Sequence, residues 1–157
     1  FCLRPWRAHV ASTTAFEALE AEALGEEIPQ SMPPALEWWF ENYCLLGDFA
    51  ERDYPMMMVA YDLVLEKPLE TVQRALGFLD QDEALAEHAV QVVDPSLRHA
   101  DASTEVEVDL PDGVLATFDA FYDRVRNRDA FDDAFVDRLS ATHDAVMPPI
   151  EPHLEEK

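Results

Sequence analysis

The sequence contains very little lysine: Lys67 and Lys157 are the only lysines among 11 basic residues, which face 33 acidic ones. The resulting net charge of −22 excludes a surface that coats DNA, RNA or an anionic membrane, because such binding depends on clustered basic side chains. Long apolar runs are also missing, and no segment approaches the roughly 20 apolar residues that span a bilayer. We therefore expect no nucleic-acid partner and no membrane segment in this chain.

Cysteine is scarce as well. Cys2 and Cys44 are the only two, and they form neither a CxxC motif nor a paired framework, which is typical of a reducing compartment and predicts a cytoplasmic location. The five histidines lie far apart in sequence without an HxxH or HExxH pattern, so we predict no metal site.

Apolar and aromatic residues are plentiful enough for a folded core. They make up 48% and 10% of the 157 residues, a length that suits one domain. We assign residues 1–147 to a single domain and residues 148–157 to a C-terminal tail.

Helical spacing dominates the hydrophobic pattern. A helix is predicted from Trp6 to about Leu24, followed by a loop from Gly25 to Pro34 in which Ser31 is the expected N-cap of the next helix. That next helix carries its apolar face at spacings of three and four residues, on Leu36, Trp39, Phe40, Tyr43 and Cys44. Further helices are predicted from Pro68, with Leu69, Val72, Leu76 and Leu79 inward, then over 83–93, 114–125 and 131–146.

Three segments are candidates for strands. Residues 1–3 form a short apolar stub, and the continuous apolar run from Pro55 to Tyr61 predicts a strand buried on both faces, as in a parallel sheet. Residues 104–110 alternate apolar and acidic side chains, and this pattern fits either a half-exposed strand or an acidic extended linker.

These elements lead us to expect an α/β fold, with a parallel sheet of the P-loop NTPase type sandwiched by helices. Such a sheet has about four to six strands, and two or three candidates are too few. The expectation is therefore that most of the sheet precedes Phe1 and that the visible part is mostly helical.

Two strand ends carry side chains suited to a ligand. Arg4 follows the first apolar stub and precedes a helix, the position at which open α/β sheets bind anions, and Ser12 lies eight residues later. Tyr61 ends the second apolar run, where its ring could contact a base.

The order of these features resembles the C-terminal half of the bacterial-type sulfotransferases that use 3′-phosphoadenosine 5′-phosphosulfate (PAPS). The resemblance covers about residues 1–100. It rests on Arg-x7-Ser after a strand, on a strand ending in Tyr-Asp-Leu before a proline and a helix, and on the segments 73–79 (QRALGFL) and 94–99 (DPSLRH).

The resemblance implies roles for four residues. Arg4 and Ser12 match the residues that hold the 3′-phosphate of PAPS, Tyr61 matches the tyrosine near the adenine, and Arg98 is a weaker match for a second phosphate contact. The implied reaction transfers a sulfuryl group to a hydroxyl or amine acceptor. No catalytic residue is assigned, because the family's phosphosulfate loop and general base are expected before Phe1; the chain alone is therefore expected to be inactive.

A second function class remains open. The chain could be a non-catalytic, acidic helical module that binds a partner protein in an apolar groove, with Trp38 and Trp39 as anchors.

Overall fold

The computed structural model describes residues 1–26, 32–97 and 103–147. Within these ranges the chain forms two very short strands and seven α-helices. In chain order they are β1 (Cys2–Leu3), α1 (Trp6–Leu24), α2 (Pro34–Glu51), β2 (Val59–Ala60), α3 (Tyr61–Glu66), α4 (Pro68–Phe78), α5 (Ala86–Ala89), α6 (Asp112–Asn127) and α7 (Asp133–Val146). Single 3₁₀ turns lie at Glu83–Leu85, Val90–Val92 and Pro95–Leu97.

The two strands are parallel neighbours. Cys2 pairs with Val59 and Leu3 with Ala60, and the Val59 amide donates to the Phe1 carbonyl at 2.8 Å. Leu3 and Ala60 are fully buried in the helical core, whereas Cys2 is exposed and Val59 is half-buried.

The predicted fold class is wrong. The described residues contain a two-stranded sheet in a mostly helical domain, and they show no P-loop NTPase-like sheet between helical layers. The apolar run from Pro55 to Tyr61 contributes only two residues to a ladder, because α3 begins at Tyr61 directly after Ala60. The residues before Val59 are half-buried or exposed, so they pack as an irregular segment without a second neighbouring strand.

The core is aromatic and centres on α2 and α6. Phe118 is completely buried and stacks on Trp39 with ring centroids 4.8 Å apart, while its other faces meet Trp38 at 5.5 Å and Trp6 at 6.2 Å. Aromatic pairs at these separations add to the free energy gained from burial alone. Phe118 therefore joins α1, α2 and α6 in one cluster.

The helix positions are largely confirmed, but two predicted apolar faces are not: Phe40 and Cys44 of α2 are exposed, and α4 also differs. α1 spans the predicted residues, and α2 begins at Pro34, while the predicted cap Ser31 lies outside the described residues. In α4 the predicted inner face is wrong, because Leu69 and Leu79 are exposed. This helix instead buries Thr71, whose hydroxyl donates to the Leu63 carbonyl at 2.9 Å.

Half-buried and exposed side chains alternate along the segment 104–110, as they do in a strand, but the segment pairs with no strand among the described residues. Val106, Val108 and Leu110 pack against the core, and the acidic residues between them are exposed. No ladder partner exists for it among the described residues, so the structure favours the extended acidic linker.

Both cysteines are free thiols with exposed side chains. In the part of the chain that the structure describes, no helix is long and apolar enough to cross a membrane.

A buried polar pair ties α6 to α3. The Tyr122 hydroxyl donates to Asp62 Oδ2 at 2.9 Å, and both side chains are about 4% exposed. Burial, and then the Asp62 carboxylate, raise the pKa of Tyr122, so the phenol keeps its proton and remains a donor.

Tyr122→Phe should lower the free energy of unfolding by about 1–3 kcal/mol, because the buried Asp62 carboxylate loses a donor. Urea denaturation measures the change. Tyr54→Phe is the matched control: Tyr54 is exposed, and its loss of a hydroxyl should change stability by less than about 0.5 kcal/mol. Equal stability of the two variants would contradict a stabilising role for the Tyr122–Asp62 bond.

Candidate functional site

Arg4 and Tyr61 lie side by side at the carboxyl edge of the β1–β2 pair. Each is among the first residues after its strand, and the register that pairs Leu3 with Ala60 brings the two positions together. The Arg4 guanidinium carbon is 5.4 Å from the centroid of the Tyr61 ring, a cation–π contact. Two of the four residues assigned to the cofactor are thus neighbours, although they are 57 positions apart.

The backbone at Arg4 is held by the core. The Trp38 indole N–H donates to the Arg4 carbonyl at 2.9 Å, and Trp38 is itself buried against Phe118 and Phe121. Pro5 fixes the next backbone angle and leads into α1. Arg4 therefore projects from a rigid junction of strand, α1 and α2.

The Arg4 side chain is exposed and has no carboxylate partner among the described residues. This distinguishes it from four other arginines in this acidic chain. Those four are paired with Asp or Glu: Arg7 with Asp119, Arg124 with Asp132, Arg126 with Glu66 and Arg128 with Glu70. An arginine without a carboxylate partner keeps its hydrogen-bonding fork available to an incoming oxyanion.

The amino end of α1 adds to the positive character of this edge. Its first backbone bond runs from the His9 amide to the Pro5 carbonyl, so the amides of the preceding turn have no partner within the helix. No acidic residue lies in the first turn and no side chain caps it. The helix dipole therefore favours a negative group near Arg4.

A carboxylate from α6 lies close to the same turn. Asp119 Oδ1 accepts the Trp6 indole N–H at 2.7 Å, and both Asp119 oxygens accept from the Arg7 guanidinium, which also covers the Trp6 ring. The pattern of α6 alone did not single out Asp119, since its partners are more than 110 positions away in sequence. Asp119 neutralises the charge of Arg7. Arg4 is therefore the arginine near this turn that has no carboxylate partner among the described residues.

Ser12 is not brought into contact with Arg4. It is exposed on α1 and makes no hydrogen bond with any described residue. At about 1.5 Å per residue it lies roughly 9 Å along the helix from Trp6. A shared anion would require the Arg4 side chain to leave the Tyr61 ring and extend along α1.

Arg98 lies outside the described residues, so its predicted role stays a prediction. The turn just before it is described: Asp94 Oδ1 accepts from both the amide and the hydroxyl of Ser96. These two bonds lower the pKa of Asp94 and fix the start of the Pro95–Leu97 turn.

The tryptophan anchors of the alternative function are not available. Trp38 is 2% exposed and Trp39 is fully buried, so neither can enter a partner's pocket without unfolding the core. The prediction that they anchor a partner protein is wrong, because the helix presents both rings to α6.

Within the described ranges, no group of three or more His, Cys, Asp or Glu side chains is arranged to hold a metal ion.

The comparisons give no relative: the chain matches no family model, no curated protein and no solved structure.

His9 borders this site from the second turn of α1. Its Nε2 is buried without a hydrogen-bond partner among the described residues. Burial lowers the pKa of His9, and Arg4 lowers it further, while Glu37 and Glu41 act in the opposite direction. The folded protein therefore favours the neutral imidazole.

A protein that contains a histidine whose pKa is lower in the folded state loses stability as the pH falls below the ordinary histidine pKa of about 6.5. We predict that the free energy of unfolding falls less steeply in His9→Gln than in the wild type between about pH 7 and pH 5. Denaturation at each pH measures the free energy of unfolding of both proteins. The carboxylates are common to both, so their titration cancels in the difference. His88→Gln, at an exposed site on α5, is the control and should follow the wild type. Parallel curves for His9→Gln and wild type would show that His9 is not linked to folding.

Proposed function

We propose that the chain binds the 3′-phosphate and adenine end of PAPS and forms the C-terminal part of a sulfotransferase. One observation carries the proposal: parallel pairing of β1 with β2 brings Arg4 and Tyr61 together at the carboxyl edge, with the guanidinium 5.4 Å from the ring centroid. These are two of the residues that the sequence resemblance assigns to the cofactor.

Arg4 is suited to the phosphate. Its guanidinium can donate two parallel hydrogen bonds to one oxyanion, and no described carboxylate competes for it. The uncapped amino end of α1 contributes a favourable dipole beside it. This local positive group offsets the net charge of −22, which otherwise repels an anionic ligand.

Tyr61 is suited to the adenine. Its ring is half-buried, so it presents a fixed aromatic surface, and the neighbouring Asp62 is anchored to Tyr122. A base lying against such a ring gains about 1–3 kcal/mol of stacking free energy.

The proposal gives the chain a binding role. Sulfuryl transfer requires a base that removes the proton of the acceptor hydroxyl or amine, and groups that stabilise charge on the departing phosphate. We assign neither role to a residue of this chain, and we expect no turnover from the chain alone. The free thiols of Cys2 and Cys44 agree with a cytoplasmic location.

Calorimetric titration with 3′-phosphoadenosine 5′-phosphate tests the proposal. Arg4→Ala should weaken binding about 10- to 100-fold, since it removes charge-assisted hydrogen bonds to the 3′-phosphate. Arg52→Ala is the matched control: it removes the same charge from an exposed residue at the end of α2 and should bind like the wild type.

Two results would overturn the proposal. One is the absence of binding by wild-type protein that denaturation shows to be folded. The other is an equal loss of affinity in Arg4→Ala and Arg52→Ala, which would reduce the effect to overall charge.

A further inference from the structure

Three arginines converge on a cleft at the other end of β2 from Tyr61. This cleft has a volume of about 330 Å³ and lies between α4, the carboxyl end of α6 and the segment that precedes β2. Arg74, Arg124 and Arg128 line it, and Met56, Met58 and Phe131 supply apolar surface. We name it the arginine cleft.

The arginine cleft is separate from the Arg4–Tyr61 edge. Met58 comes immediately before β2, whereas Tyr61 comes immediately after it. At about 3.3 Å per residue the two positions are roughly 10 Å apart along the chain. The two sites are therefore at opposite ends of one strand.

The guanidinium of Arg74 has a buried hydrogen-bond donor without a partner among the described residues. Its Nη2 donates to the Met58 carbonyl at 3.2 Å, while its Nη1 is buried without a hydrogen-bond partner among the described residues. It forms no ion pair with a described carboxylate. A buried cationic donor that lacks a partner costs free energy, and a nearby anion recovers part of that cost.

The other two arginines are paired at the margin of the cleft. Arg128 donates to Glu70 at 2.6 Å and Arg124 to Asp132 at 3.1 Å, and both carboxylates are more than half exposed. Burial lowers the pKa of Arg74 and the neighbouring Arg128 lowers it further, with Glu70 opposing them. Asp129 also lines the cleft, and Arg74 is the lining arginine that forms no ion pair with a described carboxylate.

We propose that the arginine cleft binds a small organic anion, a phosphate or sulfate monoester whose oxyanion meets Arg74 and Arg128 and whose apolar group lies against Met56, Met58 and Phe131. The volume falls within the range of small-molecule sites, at about 300–1,000 Å³. Guanidinium groups are the preferred partners of such oxyanions, and the apolar wall favours an ester over inorganic phosphate.

Phenyl phosphate is the probe, and isothermal titration measures its affinity beside that of inorganic phosphate and phenyl sulfate. We expect phenyl phosphate to bind more tightly than inorganic phosphate. Arg74→Met should weaken it about 10- to 100-fold, because the variant keeps the bulk of the stem and removes the charge.

A second variant, Arg128→Gly, tests the cleft even if Arg74→Met does not fold. Arg128 ends α6 with a φ of +64°, a left-handed conformation that glycine adopts without strain. Arg128→Gly should therefore remain folded while it loses affinity for phenyl phosphate. Arg52→Gln is the charge control and should bind as the wild type does.

Arg4→Ala separates this site from the proposed nucleotide site: the phenyl phosphate binding that depends on Arg74 should persist in this variant, whatever it does to nucleotide binding. The inference is overturned if wild type shows no binding at about 10 mM probe, which corresponds to an affinity too weak for a formed site. It is also overturned if Arg74→Met and Arg128→Gly bind like the wild type, or if Arg4→Ala alone abolishes binding.

Discussion

The geometry of both proposed sites depends on the β1–β2 ladder, in which Cys2 pairs with Val59 and Leu3 with Ala60. Leu3 and Ala60 form the buried half of the β1–β2 ladder, and together they leave almost no surface exposed. A shift by one residue would turn their side chains to the opposite face and expose them to solvent, so the register is strongly specified. With this register Arg4 meets Tyr61 at one end, and Met58 meets Arg74 at the other.

The aromatic core keeps this small ladder in place. Phe118 contacts all three tryptophans. One of them, Trp38, holds the backbone of Arg4 by a hydrogen bond to its carbonyl. Of the nine Lys and Arg side chains that the structure describes, four are paired with carboxylates. In a chain with a net charge of −22, an arginine that lacks a carboxylate partner is suited to an anion where the fold adds a second favourable feature beside it. Arg4 and Arg74 are both of this kind and both border a strand end.

The sequence predicted helices better than it predicted the sheet, for a physical reason. Helical spacing is a local signal, so the apolar residues alone predict α6 and α7. A strand is defined by its partner, and nothing local showed that the run from Pro55 to Tyr61 would pair over only two residues. At the candidate site, position after a strand was enough to single out Arg4 and Tyr61. The contacts of Asp119, and the convergence of Arg74 with Arg128, depend on packing between distant helices and left no sequence signal.

The most direct test of the central claim is the NMR resonance of the Trp38 indole N–H, which donates to the Arg4 carbonyl. We predict that 3′-phosphoadenosine 5′-phosphate shifts this resonance saturably, while the buried Trp39 indole changes little and adenosine 5′-monophosphate, which lacks the 3′-phosphate, has a much weaker effect. An unchanged Trp38 resonance at saturating nucleotide, or equal responses to the two nucleotides, would contradict the assignment of Arg4 to the 3′-phosphate.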